Sequence, residues 1–305
     1  MASFYGCAPK SEPVLRFGMI QWIGYSPLYL AEAKGKLPSS LRILDYTANY
    51  DVIEALKSGE LDAACLTLDG TLLLAQNGLK FRIILVLGTS DGADALLASE
   101  SILSVKDLKD KRVAYEPGSV QEYILSRALK KQNMSMSDVV PVLLKYDAHA
   151  DGWQDGLYDA VATFEPEKQK LIGAGMHSIF DSTQIPNEII DLLVVTDEAI
   201  QTNPLSIQKT VDAYFLALSE IKKDESTYPV LGEYLNTTPK RVREALFGVK
   251  IINAKENLQL LDSEDPQILS SAVHVSNYLK SNNRLKESMD IKMLLYPDFI
   301  QKSQK

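Results

Sequence analysis

The sequence predicts an α/β protein made of two similar lobes, each a mostly parallel sheet flanked by helices. Strand-like apolar runs alternate with amphipathic helical segments, which is typical of parallel sheets with right-handed crossovers. A pattern that leads from a strand to an acidic residue also occurs twice, from Arg16 to Asp62 and from Arg112 to Asp159, at spacings of 46 and 47 residues. An internal repeat of this kind indicates two lobes that face each other across a cleft.

The length and composition are sufficient for two hydrophobic cores. The chain has 305 residues, of which 46% are hydrophobic, and a typical single domain is shorter. No apolar run reaches the length of about 18 to 20 residues that spans a bilayer. The net charge of −8, with basic residues dispersed along the chain, argues against nucleic acid as a partner.

The two lobes are predicted to share the order strand, helix, strand, helix, strand. Ser26-Pro27 is a strong start for the first helix, because a hydroxyl can cap it and proline suits its first position. The expected bounds are 15–20, 27–34, 41–46, 50–58 and 62–67 in the first lobe, and 112–115, 119–131, 139–145, 148–156 and 159–164 in the second.

Further strands are predicted between and after these two units. Residues 81–87 and 95–98 form apolar runs, and the second of these is the candidate strand that leads out through the hinge. Residues 189–195 form another run that would return the chain to the first lobe. The pattern then becomes helical, at about 204–222, 238–247 and 265–280, and we expect this tail to pack on the first lobe.

Five loops at the carboxyl ends of the predicted strands are candidates for a ligand site. In open parallel sheets, ligands bind beyond these ends, where the following helices present unpaired amide N–H groups. The loops are rich in aromatic, hydroxyl and acidic side chains, which suits a small organic molecule. Together with one turn near residue 91, they contain the predicted ligand-binding residues Trp22, Tyr25, Ser26, Asn49, Tyr50, Thr67, Asp69, Asp91, Gly118, Ser119, Phe164 and Glu165.

Structural roles compete with ligand binding at several of these positions. Ser26, Asp69 and Ser119 are residue types that commonly cap the amino ends of helices. Glu165 precedes a proline and so suits an extended residue before a helix, while Asp91 precedes a glycine and suits a turn. The functional interpretation depends on all the loops lying at one edge of the sheets.

Motifs for catalysis, metal binding or cofactor binding are absent from the sequence. The histidines His149, His177 and His274 lie in unrelated segments, and none has a serine or cysteine nucleophile elbow nearby. Neither a GxGxxG motif nor a phosphate-binding GxxxxGK[ST] loop occurs. We therefore expect a binding protein without a cofactor or metal rather than an enzyme.

The two cysteines do not form a disulfide framework. Cys65 lies in a predicted buried strand, where a cysteine usually acts as a small hydrophobic residue. Gly6-Cys7, followed by a polar, proline-containing segment, resembles the start of a mature bacterial lipoprotein. Cys7 is therefore a candidate lipid anchor, and a free thiol in an N-terminal tail is the alternative.

Over about residues 13 to 300, the chain resembles the solute-binding proteins of ABC importers of the nitrate, sulfonate and taurine type. The resemblance implies the two-lobed fold of type II periplasmic binding proteins, in which hinge closure traps a ligand between the lobes. The stretches that carry the resemblance are residues 22–31 (WIGYSPLYLA), 61–69, 90–95, 163–166 and 180–182.

This resemblance also implies the domain bounds, the partners and the location. Residues 1–12 would be a linker, residues 97–193 the second lobe, and residues 13–96 with 194–305 the first lobe. The implied partners are a small-molecule ligand and the membrane permease of an ABC importer. The implied location is periplasmic or extracytoplasmic, with contact to the membrane only through a lipid on Cys7, and the implied state is a monomer.

Two alternative functions remain for a chain of this resemblance. The same module can act as a ligand sensor for a membrane signalling protein. A relative of this fold is an enzyme that makes the thiamine pyrimidine, which needs a catalytic histidine and a cysteine-rich motif. This chain has only Cys65 in the corresponding region and no such motif. The enzyme is therefore the weaker alternative.

The charge of the predicted loops indicates the kind of ligand. No lysine or arginine falls in them, whereas Asp69, Asp91, Glu116 and Glu165 do. A dianion would require arginine, while carboxylates beside aromatic rings suit a cationic or donor-rich group. We hypothesise a compact ligand with such a group, for example an aminopyrimidine or a zwitterionic amine. The alternative is that these carboxylates only cap helices and brace the hinge.

Overall fold

Two β-sheets, each covered by helices, form the framework of the computed structural model. The structure describes residues 12–261, 267–287 and 289–303. The candidate lipid anchor Cys7 therefore lies outside the described residues.

The first sheet has six strands in the order β11-β4-β10-β3-β1-β2. The strands β1 to β4 share one direction, and β10 and β11 run against them. We call this sheet and its helices lobe one. Its strands are β1 (Leu15–Ile20), β2 (Leu41–Tyr46), β3 (Ala63–Thr67), β4 (Phe81–Ser90), β10 (Ile190–Thr196) and β11 (Val249–Ile251).

The second sheet has five strands in the order β7-β6-β8-β5-β9, and with its helices it forms lobe two. Here β6 to β9 share one direction and β5 runs against them. The prediction of two mostly parallel sheets is therefore confirmed. The strands are β5 (Asp94–Ala98), β6 (Arg112–Tyr115), β7 (Val140–Leu143), β8 (Ala160–Phe164) and β9 (His177–Asp181).

Helices cover both sheets and form most of the C-terminal part of the chain. In lobe one they are α1 (Ser26–Ala33), α2 (Asn49–Ser58) and α3 (Leu68–Ala75), and in lobe two α4 (Val120–Lys131), α5 (His149–Gln154) and α6 (Glu167–Gly173). The C-terminal helices are α7 (Asp197–Thr202), α8 (Pro204–Lys223), α9 (Tyr228–Tyr234), α10 (Pro239–Leu246), α11 (Ala254–Leu261), α12 (Gln267–Ser281) and α13 (Asp298–Ser303).

The C-terminal helices pack on lobe one, as predicted. Helix α8 lies against α1, α11 and α13 lie against β4, and α12 lies against α3. Helix α3 was not predicted from the sequence, and residues 67–70 were expected to form a loop. Because α3 is apolar almost all round and buried, it lacks the one-sided periodicity that marks a surface helix.

The internal repeat corresponds to equivalent ion pairs in the two lobes. Asp62 accepts hydrogen bonds from the backbone N–H, Nε and Nη2 of Arg16, at 2.8, 2.9 and 2.6 Å. Asp159 accepts the same three bonds from Arg112, at 3.0, 3.2 and 2.8 Å. In each lobe this pair joins the start of the first strand of the unit to the residue that leads into its last strand.

The chain crosses between the lobes twice, and the crossings differ from the predicted boundaries. The predicted divisions after residues 96 and 193 fall inside β5 and β10. Each of these strands pairs with a single sheet over its whole length, so sheet membership changes at 91–93 and again at 182–189. The crossings contact each other, because Ser182 Oγ lies 2.8 Å from Ser90 Oγ and accepts the Gly92 N–H at 2.6 Å.

Candidate functional site

A narrow cavity with a free volume of only about 10 Å³ lies between the lobes, at the facing edges of the two sheets. The carboxyl ends of β1, β3 and β8 reach it, and so do the amino ends of β5 and β10, because these two strands run against their neighbours. Its lining residues are Ile20, Trp22, Tyr25, Asn49, Thr67, Asp94, Val120, Phe164, Ile189 and Asp191.

Two aromatic side chains form the wall on lobe one. A single helical turn at residues 23–25 follows β1 and carries Tyr25 into α1, with Trp22 directly before it. The turn needs Gly24, because a Cβ there would lie 2.3 Å from the Trp22 Nε1 atom. Both rings are buried, and both direct their polar atoms to one carboxylate: Trp22 Nε1 donates to Asp191 at 2.8 Å, and the Tyr25 hydroxyl donates to it at 3.4 Å.

Phe164 forms the wall on lobe two and contacts lobe one directly. Its ring meets Trp22 edge-on with centroids 5.5 Å apart, and it lies 5.1 Å from the ring of Tyr146. Tyr146 also borders a second, wider space between the lobes of about 380 Å³, which Gln21 and Glu167 line as well. Aromatic rings therefore separate the inner cavity from the outer one.

Two buried aspartates, one from each lobe, are the charged groups of the inner cavity. Asp94 opens β5 of lobe two, and Asp191 lies at the start of β10 of lobe one; their exposed fractions are 3% and 2%. Burial raises the pKa of Asp94 to about 7 and that of Asp191 to about 8. Repulsion adds to both shifts, from Asp69 and Glu165 on Asp94, and from Asp94 and Asp69 on Asp191. The hydrogen bonds from Trp22 and Tyr25 lower the pKa of Asp191, because they favour its charged form.

The inner cavity also contains polar atoms that lack partners. Among the described residues, neither Oδ2 of Asp94 nor Nδ2 of Asn49 has a hydrogen-bond partner, although both atoms are buried. Thr67 closes the lobe-one side at the end of β3. Unsatisfied buried polar atoms are uncommon in folded proteins and are often found where a ligand or an ordered water binds.

Of the other predicted residues, Asp69 and Glu165 are buried near the cavity but do not line it. Asp69 lies in the first turn of α3, where burial raises its pKa. Burial also raises the pKa of Glu165 to about 7, while Lys168, 3.7 Å away, and Gln169 favour its charged form.

The remaining predicted residues cap a helix, allow a turn or lie exposed. Ser26 donates to the Ile23 carbonyl at 2.5 Å, and Ser119 caps α4 by accepting the Gln121 N–H at 3.1 Å. Gly118 has a φ of 76° and packs against Arg284, so it allows a turn rather than lining the cavity. The side chain of Tyr50 is 57% exposed, and Asp91 lies in an exposed turn. The structure does not bring these five residues into the inner cavity.

Asp94 and Asp191 were not predicted, because the predicted site residues come from the carboxyl ends of parallel strands and from the turn near residue 91. Each of these aspartates lies at the amino end of a strand that runs in the opposite direction, which places it at the same edge. A signal was present in the sequence, since the segments Asp94-Ala-Leu-Leu-Ala and Asp191-Leu-Leu-Val-Val both place an aspartate directly before four apolar residues. A charged residue at the start of a fully buried strand requires a functional or structural partner.

Charged contacts also join the lobes beside the cavity. Glu116 follows β6 of lobe two and lies near the amino end of α2, where the backbone amides of Asn49 and Tyr50 favour its charged form. Neither of its carboxylate oxygens has a hydrogen-bond partner among the described residues. Burial is the stronger effect and raises the pKa of Glu116 to about 7. On the surface, Lys145 donates to Asp51 of α2 at 3.0 Å.

The described residues contain no group of histidine, cysteine, aspartate and glutamate side chains arranged to hold a metal ion. His149 is buried within lobe two, with Nδ1 3.2 Å from the Thr163 hydroxyl, and burial lowers its pKa to about 4. None of the helices in the described part of the chain has the length and apolar character to cross a membrane.

Known proteins resemble this chain at the levels of sequence and fold. A putative aliphatic sulfonates-binding protein of Escherichia coli K12 is 26% identical over 261 residues, which is 78% of this chain and 80% of that protein. The alkanesulfonate-binding protein SsuA from Xanthomonas axonopodis pv. citri, solved with MOPS, has a TM-score of 0.77 at 18% identity, over 94% of this chain and 100% of that one.

An enzyme shares the fold as well. The desulfurization enzyme DSZB has a TM-score of 0.69 at 14% identity, over 96% of this chain and 99% of that chain. The fold alone therefore does not distinguish binding from catalysis. The sequence model of the NMT1-like family matches residues 8–230, and this chain belongs to the NMT1-like family.

Proposed function

We propose that this protein is the extracytoplasmic solute-binding component of an ABC importer and captures a small organic molecule between its lobes. The inner cavity carries this proposal, because buried polar groups from both lobes line it and two crossings connect the lobes. A hinge at residues 91–93 and 182–189 would allow the cleft to open and close without disturbing either sheet. The sulfonate-binding relatives support the same role.

The proposed partners are the ligand and the membrane permease of the importer, and the protein is proposed to act as a monomer. A periplasmic or extracytoplasmic location follows from this role, and the periplasmic relatives support it. A lipid on Cys7 would keep the protein near its permease while leaving the lobes free to move. Mass spectrometry of the native protein tests the anchor, because an unmodified N-terminus would contradict it.

A thermal-shift screen of small metabolites, followed by small-angle scattering, tests binding and closure. A ligand at 100 times its Kd is expected to stabilise the protein by about 2.7 kcal/mol. The radius of gyration should then decrease on saturation. An unchanged radius with a bound ligand would contradict closure.

Recovery of the ligand after incubation separates binding from catalysis. We expect chemically unchanged ligand, because the described residues that line the inner cavity combine carboxylates and aromatic rings without a nucleophile paired to a base. Conversion of the ligand would instead favour an enzyme, as in the desulfurization relative. Binding with closure but without any effect on uptake by the neighbouring permease would favour the sensor.

A further inference from the structure

We infer that the inner cavity recognises a compact organic cation with at least two N–H donors, such as an amidinium or a primary ammonium group, held by Asp94 and Asp191 together. This inference rests on the proposed function and names the chemical class of its ligand.

Burial favours the protonated forms of Asp94 and Asp191, and a cation bound between them would favour their charged forms instead. Within the part of the chain that the structure describes, no lysine or arginine lines the inner cavity. Lys168 of α6 favours the charged form of Asp94, but its ammonium group donates to the Gly92 carbonyl at 2.7 Å and lies 3.7 Å from Glu165. A cation in the cavity would relieve the repulsion between Asp94 and Asp191, whereas an anion would add to it.

The unpaired acceptor of Asp94 points to a ligand that donates hydrogen bonds. Asp191 already accepts from Trp22 and Tyr25, whereas Oδ2 of Asp94 has no partner among the described residues. A planar group with a fork of N–H donors matches carboxylate oxygens and forms stronger bonds than a neutral group does. The two aspartates belong to different lobes, so one cation between them would join the lobes in the closed form.

The aromatic walls suit the same ligand. Trp22 and Phe164 come from opposite lobes and meet in the cavity with centroids 5.5 Å apart. Aromatic faces attract cations, particularly where water is excluded. The free volume of about 10 Å³ has room for no more than about one water molecule, so the lobes must move apart to admit even a compact charged group. Any larger part of the ligand would extend towards the outer cavity that Tyr146 borders.

The sharpest test on the wild-type protein compares acetamidinium with acetamide. These two probes have nearly the same shape and differ in charge and in one donor group. We expect calorimetry at neutral pH to show at least about tenfold tighter binding of acetamidinium. Tetramethylammonium, a cation without N–H donors, should bind more weakly than acetamidinium, and methanesulfonate should bind more weakly still.

Substitutions of Asp94 and Asp191 test whether these two residues bind the cation. Asp94→Asn and Asp191→Asn preserve shape and should each weaken acetamidinium binding by at least about tenfold. Asp110→Asn is the matched control, because Asp110 is exposed and has a φ of 61°, a conformation that asparagine also tolerates. This control should retain wild-type affinity.

Three outcomes would overturn the inference: equal affinity for acetamidinium and acetamide, tighter binding of methanesulfonate, or wild-type affinity in both aspartate variants. The wild-type comparison remains decisive if the variants do not fold. If methanesulfonate binds and compacts the protein in scattering, the inference fails while the proposed function stands. If no metabolite in the screen produces compaction, the proposed function fails.

Discussion

Trp22 donates its indole N–H to Asp191 at 2.8 Å and meets Phe164 edge-on, so a single side chain connects the buried carboxylate of lobe one to the wall of lobe two. Asp191 lies 169 residues further along the chain than Trp22. The contact depends on the second crossing, which returns the chain to the cleft edge of the first sheet. A ligand between the lobes would therefore change the surroundings of this indole directly.

The two tryptophans of the chain provide a test of the site by fluorescence. Trp22 lines the inner cavity, whereas Trp153 of α5 is half-buried on lobe two and donates to the Ala174 carbonyl at 3.1 Å. We expect ligand binding to change the emission of the Trp153→Phe variant as it does in the wild type. The Trp22→Phe variant should lose most of this change. A full response in Trp22→Phe would place the ligand elsewhere.

The stability of the protein should fall as pH rises through neutrality. The pKa of Asp191 is raised from 3.8 to about 8 by burial and by the neighbouring Asp94 and Asp69. Between these values the folded protein holds a proton that the unfolded chain releases, so the free energy of unfolding decreases with rising pH. The groups that face Asp191 also include Trp22 and Tyr25, whose hydrogen bonds partly offset this effect.

Replacing Asp191 should remove much of this pH dependence. The Asp191→Asn variant is neutral throughout, so its free energy of unfolding at pH 8.5 should exceed that of the wild type by about 2 kcal/mol or more. Urea unfolding at pH 5 and pH 8.5 measures the difference, with Asp110→Asn as the control. If the free energy of unfolding of Asp191→Asn depends on pH as steeply as that of the wild type, the Asp191 carboxyl group titrates normally in the folded wild-type protein.

The surface ion pair between the lobes should affect closure but not folding. Lys145 of lobe two contacts Asp51 of α2 at 3.0 Å. Asp51→Asn should increase the rate of ligand dissociation by about twofold, with a larger effect at low salt, because exposed pairs are weak and screened. Stopped-flow fluorescence measures this rate.

The same helix provides the control for this prediction. Glu54 of α2 pairs with Lys57 within lobe one at 2.7 Å, so Glu54→Gln removes a similar charge without altering a contact between lobes. Its dissociation rate should match the wild type. Equal rates in the wild type and in both variants would show that the Lys145 contact does not stabilise the closed form.

The two partners of the Arg16–Asp62 ion pair should contribute unequally to the stability of the protein. Asp62 accepts hydrogen bonds from both the side chain and the backbone N–H of Arg16. Asp62→Ala therefore leaves a backbone donor unpaired and should lower the free energy of unfolding by about 1 to 2 kcal/mol. Arg16→Ala removes only a partly exposed side chain and should cost less than about 1 kcal/mol. Urea unfolding compares the two variants, and the reverse order would contradict the role of the backbone bond.

The sequence by itself determined the plan of each lobe. Local patterns predicted most of the strands and several of the helices, because apolar periodicity reports which residues are buried. The spacing of Arg16 and Asp62 and that of Arg112 and Asp159 indicated the repeat, and the structure pairs both sets of residues. Five of the predicted residues line the inner cavity, and they lie near strand ends or helix starts: Trp22, Tyr25, Asn49, Thr67 and Phe164.

Only the tertiary structure decided which charged groups meet in that cavity. Asp94 and Asp191 belong to the two strands that run against their sheets, and strand direction depends on long-range pairing rather than on local pattern. The same pairing leaves Tyr50 and Asp91 exposed, although both adjoin the predicted cleft. Side chains from distant parts of the chain therefore form the candidate site, because the fold places the amino ends of β5 and β10 opposite each other.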